Sequence, residues 1–220
     1  MRALVVGASG GIGAAVCDTL RARGDEVVGV SRSGDGLDVT DDASVARVLG
    51  GLEGVFDLVM VTTGALEIDG AGPEKSLRAL DSGVLAAQFA LNAMGPVLVI
   101  RHALRLLPRS RVSRLGVLSA RVGSIGDNAL GGWYGYRAAK AALNQFVHTA
   151  AIEVARSHRQ AVLVALHPGT VATALTSVHG AGHAVVSPQV AAGNLLAVLE
   201  GLTPADSGGF FDFAAKRIPW

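Results

Sequence analysis

The sequence is poor in cysteine: Cys17 is the only one among 220 residues. That excludes an internal disulfide and any multi-cysteine metal centre. An excess of one charge is missing too, since 19 Lys and Arg against 18 Asp and Glu leave a formal net charge of +1. The basic residues are scattered, so the chain carries no electrostatic footprint for nucleic acid or an anionic membrane. The expected partner is a small molecule. Mean hydropathy is +0.43, yet no run of about 18 or more apolar residues is free of charges or glycines. Met1-Arg2 leads into an apolar segment that stops at Gly7, too short for a signal-peptide core, and the expectation is a cytoplasmic protein. Internal repeats and linkers are absent, and the length suits one domain over residues 1–220.

Half of the residues are apolar, and they fall into short β-rich runs alternating with stretches of helical period. Strands are expected at Ala3–Val6, Val27–Val30, Leu37–Val39, Leu58–Val61, Leu115–Leu118, Val162–Leu166 and Gly209–Phe213. Helices are expected at Ile12–Arg23, Ala43–Leu49, Pro73–Leu80, Gly83–Leu107, Tyr134–Arg156 and Pro188–Leu199. This alternation predicts an α/β fold: one doubly wound sheet of about seven parallel strands, helices on both faces.

The first strand runs into Gly7-Ala8-Ser9-Gly10-Gly11-Ile12-Gly13 and then a helix, where an open α/β sheet binds a nucleotide. Glycine lets backbone approach phosphate, and a helix N-terminus offers N–H groups and partial positive charge. The spacing differs from the Rossmann G-x-G-x-x-G. An NAD site usually has an acid at the tip of the second strand, about 20 residues on. Here that tip reads Val30-Ser31-Arg32. Arg32, helped by Ser31 or Ser33, suits a 2′-phosphate, so NADP(H) is favoured over NAD(H); the alternative is a solvated surface arginine. Asp38, before Val39, is a candidate acceptor for the adenine amino group, or a cap for the following helix.

Tyr136-Arg137-Ala138-Ala139-Lys140 puts a phenol and an ammonium one helical turn apart on one face. A phenol with its usual pKa near 10 is a poor acid at neutral pH. A neighbouring ammonium and a cationic nicotinamide both favour phenolate. The spacing alone is common; its context carries the weight.

In that context the chain resembles the short-chain dehydrogenase/reductase family over nearly its whole length. The glycine loop is similar to the family's T-G-x-x-x-G-x-G, with Val6 in place of threonine. Val61-Thr62-Thr63-Gly64 stands where the family has N-N-A-G, only the glycine matching. Asn92, in Asn92-Ala93-Met94-Gly95-Pro96, resembles the asparagine that holds a water in the family's proton relay. Pro168-Gly169-Thr170-Val171-Ala172-Thr173 resembles its P-G-x-V-x-T, which meets the nicotinamide amide. The segments Ser119 to Ile125, Gly131 to Tyr134 and Ile218 to Trp220 are similar to the C-factor and sniffer-like carbonyl reductase subgroup.

The resemblance implies a Rossmann-type NAD(P)-dependent oxidoreductase that moves hydride between NADP(H) and a carbonyl or secondary alcohol. Tyr136 is then the acid, and Lys140 holds the nicotinamide ribose. It implies cofactor contacts from Gly7, Ser9, Gly10, Gly11, Ile12, Gly13, Ser31, Arg32, Asp38, Val39, Thr63, Gly64, Tyr136, Lys140, Pro168, Gly169, Val171 and Thr173. The family's catalytic serine falls at Ala120; Ser119, Ser124 or neither takes its place. Trp133 and Tyr134 either line an apolar pocket or pack between helices. Residues 174–187 resemble the family's substrate loop; its His179 and His183 lack a third ligand, and no metal is expected. His167 reads as structural. Apolar residues on more than one face of the helices carrying Asn92 and Tyr136 imply a homodimer or homotetramer. The alternative is a catalytically weak nucleotide-binding regulatory or signalling protein on the same fold.

Overall fold

In a computed structural model, residues 1–172 and 185–220 are described. The first half of the chain runs β1 (Arg2–Val6), α1 (Gly11–Ala22), β2 (Glu26–Val30), α2 (Arg32–Asp35), α3 (Asp42–Gly50), β3 (Leu58–Val61) and α4 (Ser82–Phe89). A π turn at Ala90–Met94 joins α4 to α5 (Gly95–Ala103). Then come β4 (Ser113–Leu118), α6 (Tyr134–Val154), β5 (Ala161–His167), β6 (Thr170–Val171), β7 (Val185–Val186), α7 (Pro188–Gly201) and β8 (Phe210–Asp212).

Six strands form one parallel sheet in the order β2-β1-β3-β4-β5-β8, and β6 pairs with β7 separately. The chain leaves β1 for β2 on one side and crosses back to β3 on the other. The ends of β1 and β3 therefore flank the switch point, where an open α/β sheet has its crevice. Strand residues alternate between two cores. Val6, Val61, Val117 and Leu163 face Val99, Leu143 and Val147 of α5 and α6. Val5, Met60, Val164 and Leu166 face Val16 and Leu20 of α1 and Leu195 and Leu199 of α7. Covering both faces is what makes the strands read as unbroken apolar runs.

The expected strand Leu37–Val39 does not form. Ser31 accepts a hydrogen bond from the Gly34 N–H (3.0 Å) and caps α2, turning the chain away from β2, the edge strand. Leu37 and Val39 are buried nonetheless. They act as plugs over the core edge, so their alternation reports burial without a ladder. The expected helix Pro73–Leu80 is reduced to a single 3-10 turn at Leu77–Ala79. The expected helix Gly83–Leu107 is one helical run, but the π turn interrupts it. Ser82–Leu106 is long and apolar enough to cross a membrane by length and composition; here Val99, Ile100 and Ala103 of α5 pack into the core.

Candidate active site

The nucleotide cradle is set by contacts that exclude side chains. Gly7 has φ +93, and a Cβ there would lie 2.8 Å from Thr62 Oγ1. A Cβ on Gly13 would run into the Gly7 carbonyl. The Thr62 hydroxyl donates to the Val6 carbonyl (2.9 Å), tying the loop to the end of β3. No side chain caps α1 at Gly10, and its first turn holds no acid. Ser9, Gly10 and Gly11 are exposed, and Ile12 lines the adjoining cavity. Bare, uncapped N–H groups with a positive helix end fit a dinucleotide pyrophosphate.

Beyond β2 the Ser31 hydroxyl caps α2, while its N–H donates to Asp35 (2.8 Å). Asp35 is thereby turned back on the loop, and the exposed Arg32 is left at its surface. Asp38 accepts from the Thr40 N–H (2.9 Å) and hydroxyl (2.6 Å). These bonds hold its carboxyl below the usual range. It does not cap α3; Asp41 does so, accepting from the Ala43 N–H.

Next to the cradle lies a cavity of about 790 Å³. The expected residues Thr63, Gly64, Tyr136, Lys140, Pro168, Gly169 and Val171 all line it, as do Ala120 and Trp133. Lys140 is buried and donates through Nζ to the Leu118 carbonyl (3.0 Å). Asn92, at 0% exposure, donates to the Ala65 carbonyl (2.8 Å) and Gln88 Oε1 (2.7 Å). Its Oδ1 accepts from the Ala65 N–H (3.1 Å). Gly64 is the meeting point: at φ +141, a Cβ there would lie 2.8 Å from Asn92 Oδ1 and 3.4 Å from Lys140 Nζ.

The π turn around Asn92 has a cause in the sequence. Pro96, four residues on, has no N–H to give to the Asn92 carbonyl, and the Gly95 N–H reaches back to Ala90 instead. π turns often mark functional sites. Both side-chain amide hydrogens of Asn92 are committed, one to the Ala65 carbonyl and one to Gln88 Oε1.

The expected lowering of the tyrosine pKa by lysine is not met in the protein alone. Burial pushes the Tyr136 phenol up to about 12 and the Lys140 ammonium down to about 7. Lys140 Nζ lies 5.8 Å from the centre of the Tyr136 ring, and desolvation outweighs attraction at that distance.

The serines are committed elsewhere. Ser124 does not turn inward: its hydroxyl donates to the Pro219 carbonyl (2.6 Å) and accepts from the Asp127 N–H (3.1 Å). Ser119 borders the cavity, but its hydroxyl donates to Asn144 Oδ1 of α6 at 2.6 Å. Alternation along β4 explains this, because Ser119 shares the α6-facing side with Leu115 and Val117. Trp133 packs edge-on against Tyr136, ring centres 6.4 Å apart. His167 also lines the cavity, its burial pushing the imidazole down to about 4, so it is neutral. Thr173, His179, His183 and most of 174–187 lie outside the described residues. Sequence reasoning missed the tethering by Thr62, Gln88 and Asn144; the polar side chains of Gln88 and Asn144 on apolar helix faces were the available signal.

The profile of the family described as short chain dehydrogenase matches residues 1–183. The 1-hydroxy-2-glutathionyl-2-methyl-3-butene dehydrogenase of Rhodococcus sp. (strain AD45) is 33% identical, the alignment covering 99% of this chain and 98% of that protein. A short-chain dehydrogenase/reductase from Burkholderia multivorans with bound NADP superposes with a TM-score of 0.82 at 28% identity, covering 100% of this chain and 99% of that one. The carbonyl reductase Sniffer of D. melanogaster shares the fold, with a TM-score of 0.81 at 17% identity over 100% of this chain and 99% of that one. The chain belongs to the short-chain dehydrogenase/reductase family. It is a nicotinamide-dependent oxidoreductase of Rossmann-type fold, acting on a small molecule.

Proposed function

We propose that this protein transfers hydride between NADP(H) and a carbonyl or secondary alcohol. The observation that carries this is the approach of Asn92 and Lys140 to Gly64, in the cavity that Tyr136 also lines, beside the bare glycine cradle. The nicotinamide, when bound, supplies or accepts the hydride. Tyr136 gives its hydroxyl proton to the carbonyl oxygen. Lys140 holds the ribose and steadies the phenolate, and its charge is maintained by exchange with solvent past the Asn92 carbonyl. Trp133, Leu130 and Phe213 offer an apolar wall to the carbonyl's substituent. The dehydrogenase activity in the Rhodococcus relative's name and the NADP bound by the Burkholderia protein support the reading. The exposed guanidinium of Arg32 at the β2 tip supports NADP(H) over NAD(H).

Ala120 faces the cavity without a hydroxyl, and Ser119 is held by Asn144. That favours a second reading, a weak catalyst with a regulatory role. Exposed Phe89, Met94 and Ile152 on α4, the π turn and α6 support a homo-oligomer. Tyr136→Phe decides between hydride chemistry and mere binding. NADPH affinity is expected to stay within about twofold while turnover of a panel of aldehydes, ketones and quinones falls by about a thousandfold or more. Unchanged turnover refutes the assignment.

A further inference from the structure

The helix that carries Tyr136 starts without the means to start. Its N-cap is Trp133, in the left-handed region at φ 55, with no side-chain cap, and its first turn contains no acid. Gly131 and Gly132 before it also have positive φ, +64 and +66. Such an entry leaves the first helical N–H groups unpaired within the helix and the first turn prone to fray.

The missing cap comes from a remote loop. Glu74, between β3 and α4, is 6% exposed. Its Oε2 accepts from the Gly135 N–H at 3.0 Å, across 61 residues of sequence. Its backbone carbonyl accepts from the Trp133 N–H at 2.6 Å. Residue 135 is glycine for a steric reason. A Cβ there would lie 2.8 Å from Glu74 Oε1 and 3.1 Å from Leu85 Cδ2. The same loop is stitched to the helix before the π turn, because Gln88 Nε2 donates to the Leu66 carbonyl (2.8 Å) and Gln88 Oε1 accepts from Asn92.

We infer that Glu74 is a positioning residue for catalysis: by capping α6 in place of a local N-cap, it fixes the height of Tyr136 over the cavity. The carboxylate stands at the positive end of the helix dipole, where negative charge is favoured, one residue from the phenol it sets. The inference rests on the proposed hydride-transfer reading. It adds to that reading a residue that never touches substrate or cofactor.

The test uses the full chain, NADPH, an aromatic aldehyde and three variants. Glu74→Ala removes the cap, Glu74→Gln keeps an acceptor for Gly135, and Gly135→Ala displaces the carboxylate without changing charge. Misplacement of a reacting group by about 1 Å costs about a hundredfold. The expected result for Glu74→Ala and Gly135→Ala is therefore a kcat lower by about tenfold to a hundredfold. NADPH affinity is expected to hold within about twofold, since the phosphate cradle sits on α1. Glu74→Gln is expected to recover most of kcat. Exchange of the Gly135 amide, followed by NMR, is expected to speed up at least about tenfold in Glu74→Ala and to stay slow in Glu74→Gln. An unchanged kcat in Glu74→Ala overturns the inference, as does a parallel loss of NADPH affinity or a Gln variant no better than Ala. A wild type without turnover refutes the hydride-transfer reading instead, and amide exchange then still decides whether Glu74 caps the helix.

Discussion

Replacing Lys140 with methionine should make the nucleotide-free protein more stable at neutral pH. Lys140 is 3% exposed, and among the described residues no carboxylate pairs with it; its Nζ donates to the Leu118 carbonyl. Its pKa falls from 10.5 to about 7 through burial. Below pH 7 both folded and unfolded forms carry the charge, and folding bears the full desolvation cost; above 10.5 neither does. Stability therefore rises with pH across this window, because the unfolded chain binds the extra proton. At about 1.4 kcal/mol per unit, the cost at pH 7 is about 4 kcal/mol, shrinking to about 1 at pH 10. Methionine removes the cost and keeps most of the packing, but it strands the Leu118 carbonyl, a loss of about 1 kcal/mol. The net expectation is a gain of about 3 kcal/mol at pH 7 and none at pH 10, while turnover is lost. Urea unfolding of both proteins, followed by tryptophan fluorescence, reads this as a midpoint shift of about 1 to 1.5 M at pH 7. A variant less stable than wild type at pH 7, or a gap constant from pH 7 to 10, refutes the reasoning. Tyr136, pushed up to about 12, acts in the opposite sense and only higher: its contribution is lost between about pH 10 and 12.

Arg32→Glu should raise the KM for NADPH by about tenfold to a hundredfold, the worth of a charge-assisted hydrogen bond, and improve use of NADH. Steady-state kinetics with both cofactors checks this, and an unaltered NADPH to NADH ratio refutes the role of Arg32. Gly64→Ala forces a side chain onto Asn92 Oδ1 at positive φ. It should cost about 2 kcal/mol in unfolding experiments and lower kcat, because the Asn92 to Ala65 pairing must open.

Most of the sheet was legible because its strands are buried on both faces and read as apolar runs. Leu37–Val39 shows the limit of that signal, since burial beside an edge strand mimics a ladder that never forms. Pro73–Leu80 failed because polar residues there serve tertiary partners: Glu74 answers α6, not its own segment. That Tyr136, Lys140 and Asn92 would lie together was readable from residue type and order, since Tyr136 and Lys140 line one cavity and Asn92 and Lys140 approach Gly64. The fates of Ser119 and Ser124 were not, because Asn144 and Pro219 capture their hydroxyls from distant parts of the chain.

The π turn has a consequence for how the surrounding surfaces are laid out. A wider turn is equivalent to slipping one extra residue into a helix, so the faces before and after it are out of phase by about 100°. One continuous rod thereby addresses two neighbours: α4 turns toward α6, and α5 turns toward α3 and the sheet. Loss of a single residue between Ala90 and Met94 would realign the two halves. The rod could then seat its core face or its α6-facing side correctly, but not both.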